Sequence, residues 1–148
     1  MSNLQSQAPW HLPILTIDLR KRRLRLYKHI LRLLGDPDYV QFLVNPEKCI
    51  FAVRQGNEKE TDSQKIYWTI LKDNRQCCEF YSKNLVEKLQ ILFSDRDDER
   101  TYRIVGKYNK LRNSVVFDLH DSEPITNEPE AIDSSCNMNQ NTKVQCTN

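Results

Sequence analysis

Glycine is scarce in this chain. The three present, at 35, 56 and 106, build neither a Gly-rich phosphate loop nor a Gly-x-Ser-x-Gly nucleophile elbow. The enzyme classes that need those loops are thereby excluded, and no catalytic centre is expected. None of the five cysteines has Cys-x-x-Cys spacing, and His11, His29 and His120 are scattered. A zinc site needs four converging ligands, usually with short local spacings, so neither a metal nor another cofactor is expected. No apolar run approaches the roughly 20 residues that cross a bilayer. Residues 1–9 are polar and lack the layout of a signal peptide. These absences lead to the expectation of a cytoplasmic protein without membrane contact.

What is present is ordinary for a globular domain, with 39% apolar and 28% charged residues. A length of 148 residues leaves room for one domain or two very small ones. The net charge of +2 is unevenly spread. From Asp121 onward there are five acids and one base, Lys143. Residues 18–32 hold Arg20, Lys21, Arg22, Arg23, Arg25, Lys28 and Arg32 against Asp18 alone. Such a local cluster matters more for the choice of partner than the sum over the chain.

Leu15, Ile17 and Leu19 alternate with Thr16, Asp18 and Arg20, the period of a half-buried strand. Residues 20–22 turn the chain, and Leu24 and Leu26 resume the alternation, which predicts a hairpin. The period then changes. Tyr27, Ile30, Leu31 and Leu34 form a helical stripe over about 28–34. Gly35 follows where helices close with a left-handed residue, and Asp36-Pro37 stops continuation. Val40, Phe42 and Val44 predict a strand. Asn45-Pro46-Glu47-Lys48 predicts a turn, and Cys49 is placed at the start of the strand running to Arg54. The polar stretch 55–65 is the best internal boundary.

The second half repeats the order. Ile66, Trp68 and Ile70 alternate on a predicted strand, Asp73-Asn74 turns, and 76–81 forms another. Ser82 is an N-cap for a helix carrying Leu85, Val86, Leu89, Leu92 and Phe93. Residues 101–107 and 114–119 are expected to pair around a turn at 108–113. The fold class is thus α+β, with two β-β-α-β-β halves and two short helices forming a small barrel or sheet. The helices begin alike, Leu26-Tyr27-Lys28-x-x-Leu31 and Phe80-Tyr81-Ser82-x-x-Leu85, which reads as duplication of 14–54 in 66–119. One α+β domain without a repeat accounts for the same order. Residues 1–11 are expected to be a flexible N-terminus, 12–120 the globular domain, and 121–148 a disordered acidic and polar tail.

The basic cluster points to nucleic acid. A two-stranded ribbon fits the DNA major groove, and arginine pairs with guanine or binds phosphate. Here the segment resembles the swapped-hairpin transcription factors of the AbrB and MraZ type, whose motif runs close to Gly-Arg-Ile-x-Ile-Pro-Lys-x-x-x-Arg-x-x-Leu-Gly. Arg23, Leu24, Leu26, Lys28 and Arg32 fall in matching places, and Leu34 and Gly35 come one residue earlier than the motif's Leu-Gly. Arg22 stands where the family has its turn glycine, and Tyr27 where it has proline. The resemblance covers residues 14–54 and implies a swapped-hairpin-like barrel or sheet, with duplex DNA bound through Arg20, Arg22, Arg23, Arg25 and Lys28. With Lys21 and Arg32 these are the candidate DNA-binding residues. The whole chain also resembles uncharacterised proteins of bacterial mobile elements.

The competing expectation is a protein-interaction module with no role on DNA. The acidic tail and the absence of a second basic hairpin favour it. If the halves interleave within one chain, a monomer suffices; if only the first forms a swapped hairpin, a homodimer is needed. Three further features carry less weight. Asp95, Asp97, Asp98 and Glu99 are an acidic group that Arg96 and Arg100 neutralise. Asp118 and His120 form a same-side polar pair without a third partner, and Trp10 and Trp68 default to packing.

Overall fold

The computed structural model describes residues 12–71, 76–93 and 100–125. The first hairpin is β1 (Ile14–Asp18) and β2 (Arg23–Tyr27), with Asp18 opposite Arg23 across a four-residue turn. Helix α1 (Lys28–Leu33) follows directly. It closes as the sequence predicts: Gly35 has φ +92°, and the Asp36 N–H donates to the Leu31 carbonyl at 2.9 Å. Strands β3 (Tyr39–Asn45) and β4 (Ile50–Gln55) pair across the Asn45-Pro46 turn. Asn45 Oδ1 accepts from the Lys48 N–H at 3.1 Å. Cys49 lies in that turn with φ +58°, not on the strand. The turn needs a left-handed residue before β4 can start in register.

Beyond β4 the chain departs from the expected order. The polar stretch 55–65 is no boundary, because β5 (Ser63–Lys65) pairs with β3. The alternation of Ile66, Trp68 and Ile70 does not make a strand. A short helix α2 (Trp68–Leu71) forms instead. One helical turn sets Trp68 and Leu71 on the same side, so Leu71 is buried and the Trp68 indole N–H reaches the Pro37 carbonyl at 2.7 Å. The predicted turn at Asp73-Asn74 lies outside the described residues. Strand β6 (Cys77–Tyr81) therefore has no hairpin partner before it and pairs with β2. Helix α3 (Lys83–Leu92) starts at Ser82, whose Oγ accepts from the Leu85 N–H at 3.3 Å. The expected hairpin of 101–107 with 114–119 divides in two. Strand β7 (Thr101–Val105) pairs with β1, and only β8 (Lys107–Asn109) pairs with β9 (Ser114–Asp118). After a 3-10 turn, β10 (Glu123–Ile125) adds to β7, so residues 123–125 are a strand where a tail was expected. Residues 126–148 lie outside the described residues.

The result is a mixed α+β fold with two antiparallel five-stranded sheets, ordered β10-β7-β1-β2-β6 and β5-β3-β4-β9-β8. Neither closes into a barrel. Their inner faces share one core. Leu15, Ile17, Leu24, Leu26, Phe80 and Ile104 come from the first sheet, and Val40, Phe51, Val53, Val115 and Phe117 from the second. Ile30 and Leu31 of α1 and Val86 and Leu89 of α3 fill it further.

The chain crosses from one sheet to the other at Gly106, between β7 and β8. A Cβ built there would lie 2.6 Å from Phe117 Cε2. Phe117 is fully buried, so its ring cannot swing away. Gly106→Ala is therefore expected to cost about 1–3 kcal/mol through overpacking. A urea midpoint equal to that of the parent would show that the ring and backbone adjust freely.

Candidate nucleic-acid interface

The seven candidate bases separate into three groups. Arg20, Lys21 and Arg22 are exposed together on the β1–β2 turn. The turn is well held. Asp18 Oδ1 accepts from the Lys21 N–H at 3.0 Å, Leu19 is 2% exposed, and Arg22 closes the turn with φ +54°. A left-handed arginine is strained relative to glycine, so its retention here keeps a third cation at the tip.

Arg23 and Arg25 do not join them. They alternate with Leu24 and Leu26 and lie on the face of β2 opposite the core, yet they are only 7% and 6% exposed. Beside them on that face stand Asp18, Thr16 and Glu79, each no more than 8% exposed. Arg23 Nη2 donates to Asp18 Oδ2 at 3.0 Å, and its Nη1 lies 3.6 Å from Glu79 Oε2. Arg25 Nε donates to the same Glu79 oxygen at 3.1 Å. The Tyr81 hydroxyl donates to Glu79 Oε1 at 3.1 Å. Burial, and then the Glu79 charge, push the Tyr81 hydroxyl above its ordinary value, with Arg23 working the other way. Two guanidinium groups and two carboxylates thus neutralise one another on a covered sheet face. Among the buried side-chain nitrogens and oxygens of the described residues, Arg23 Nε alone lacks a hydrogen-bond partner.

Lys28 and Arg32 form the third group, at the other end of β2. A strand rises about 3.3 Å per residue, so α1 begins roughly 16 Å from the turn. The Lys28 N–H donates to the Gln76 carbonyl at 2.7 Å. Arg32 is exposed but engaged: its Nη1 is 2.9 Å from Asp36 Oδ1, and its guanidinium lies 5.3 Å from the Trp68 ring centre. Trp68, assigned to packing from the sequence, is held by this contact and by its bond to Pro37. Trp10 and the acidic group at 95–99 lie outside the described residues.

Sequence reasoning missed two features. The first is Glu79, an acid inside the run Cys77-Cys78-Glu79-Phe80-Tyr81. An acid flanked so closely by apolar residues signals a buried counter-charge. The second is the β8–β9 hairpin. No acid occurs between residues 101 and 117, while Arg103, Lys107, Lys110 and Arg112 do. Lys107, Lys110 and Arg112 are exposed, and Leu111 at the tip is 98% exposed.

The remaining polar features are structural. Asp118 caps the 3-10 turn: its Oδ1 accepts from the His120 N–H at 3.0 Å and lies 2.9 Å from the ring Nδ1. The His120 backbone bond, then its ring, then the charge of Lys107 hold the Asp118 carboxyl below its ordinary value. Among the described residues no group of three or more His, Cys, Asp or Glu side chains is placed to hold a metal. Nor is any helix among them long and apolar enough to cross a membrane. Cys49 and Cys78 are not joined in disulfides.

Comparison with protein-family models, with curated proteins and with solved structures returned no match to this chain. The likeness to swapped-hairpin factors rests on the motif residues at 14–54 alone.

Proposed function

We propose that the chain is a non-catalytic, regulatory DNA-binding protein that holds the phosphates of duplex DNA with Arg20, Lys21 and Arg22. One observation supports this above all: three consecutive cations stand exposed on a turn that is fixed at both ends. The contact set is smaller than the seven bases of the segment. Arg23 and Arg25 shape the sheet beneath the turn instead of reaching for DNA. Three phosphate contacts release about three counterions, so the turn should contribute about −3 to the slope of the log–log dependence of affinity on salt. That share alone should weaken binding by roughly 40-fold between 50 and 200 mM salt. Replacing Arg20, Lys21 and Arg22 by alanine should leave the fold intact and reduce the slope by about three in fluorescence anisotropy on a labelled duplex. An unchanged slope in the triple variant would remove the turn from the interface.

The internal pairing of Arg23 and Arg25 favours a second proposal, a protein-interaction module with no role on DNA. Recovery of one stoichiometric protein partner, together with no mobility shift at 50 mM salt, would put it first.

A further inference from the structure

We propose that the β8–β9 hairpin is a second duplex-DNA contact, a minor-groove wedge in which Leu111 enters a base step between Lys110 and Arg112. It rests on the DNA-binding proposal above, but on different residues. An exposed leucine alone is unremarkable on a protein surface. Its setting here is not. Leu111 is 98% exposed at the tip of a paired ribbon. A cation stands on each side of it in the chain, and neither Lys110 nor Arg112 makes an ion pair among the described residues.

The tip is also built to be stiff. The Tyr108 hydroxyl donates to Asn113 Oδ1 at 2.7 Å, and Asn109 Oδ1 accepts from the Arg112 N–H at 3.2 Å. Asn113 closes the turn with φ +47°. Strand β9 is anchored in the second sheet by β4. Leu111 is therefore held outward on a fixed support. The minor groove is about 6 Å wide, with phosphates along both walls. Proteins that enter it commonly pair cationic side chains with an apolar wedge that unstacks one base step and kinks the duplex. The apolar tip and its flanking charges complement that groove. A bilayer fits less well, because a single leucine offers little apolar surface for stable anchoring.

The hairpin and the β1–β2 turn lie at opposite ends of β1. Gly106, which leads into β8, donates to the Pro13 carbonyl just before β1, whereas the basic turn follows its last residue. The two contacts can therefore be tested separately with the full chain.

The probe is a labelled A·T-rich duplex carrying 2-aminopurine at a central TA step, whose fluorescence rises on unstacking. The parent protein is expected to raise it. Leu111→Ala should abolish the rise while the salt slope of binding stays the same. Lys110→Ala/Arg112→Ala should reduce the slope by about two. Both variants alter exposed side chains, so their thermal midpoints should match the parent. A rise that survives Leu111→Ala, or a slope unmoved by the double variant, overturns the wedge and leaves the turn contact standing. Leu111-dependent binding to phosphatidylserine vesicles without the fluorescence rise would also overturn it, in favour of a membrane contact. No binding to the duplex at 50 mM salt would overturn both contacts together.

Discussion

Glu79→Ala is expected to destabilise the fold by about 3–5 kcal/mol, a large share of a small domain's total. Glu79 is 1% exposed, and both Arg23 and Arg25 approach its carboxylate. Without it the two buried guanidinium groups lose the carboxylate they share, and the Tyr81 hydroxyl loses its acceptor. The loss comes mainly from the charges left behind, not from the pair's net value, because burying an ion pair costs nearly as much as its attraction returns. Two consequences can be measured by urea denaturation. Glu79→Ala should shift the midpoint strongly downward. Arg25→Met/Glu79→Met, which removes a donor and an acceptor together, should be less destabilised than Glu79→Ala alone. Equal stability of Glu79→Ala and the parent would mean that water reaches this sheet face and that the pairs contribute nothing.

Phe51→Ala should cost a similar amount, about 3–5 kcal/mol, for a different reason. Phe51 is fully buried on β4, the strand that joins β3 to β9. Its ring stacks on Phe42 at 5.6 Å between centroids and lies 6.1 Å from that of Phe117. Phe42 in turn meets Phe80 edge-on at 5.2 Å, which carries the aromatic contact across to the first sheet. Truncation opens a cavity between two rigid sheets that cannot close up around it. The thermal midpoint should fall by roughly 15 °C or more. Phe51→Leu, which refills part of the space, should lose clearly less. A drop of under about 5 °C for the alanine variant would show that the neighbouring rings collapse into the gap.

The local elements were legible because each is specified within a few residues. The period change at Tyr27, the left-handed Gly35 and the Ser82 cap all stand where the sequence puts them. The β1–β2 and β3–β4 hairpins are joined by short turns of their own residues. The alternation at 66–70 misled because Ile66, Trp68 and Ile70 are too few to separate two periods. A buried Leu71 and a carbonyl acceptor for Trp68 decided for the helix. The candidate interface was legible only in part. Strand β2 alternates arginine with leucine, and the pattern alone assigns the arginines to solvent. Their actual surroundings depend on β6, more than fifty residues away, which places Glu79 opposite Arg25.

By itself, then, the sequence determined the first two hairpin turns, the Gly35 and Ser82 caps, helices α1 and α3 and the concentration of cations near the first hairpin. These follow from interactions between residues close along the chain, where backbone geometry leaves few choices. Only the tertiary structure decided that β1 pairs with β7, β2 with β6 and β4 with β9. Only it decided which cations face solvent and which are spent on carboxylates. Strand pairing at long range is set by how two sheets together bury one core, and no single segment carries that information.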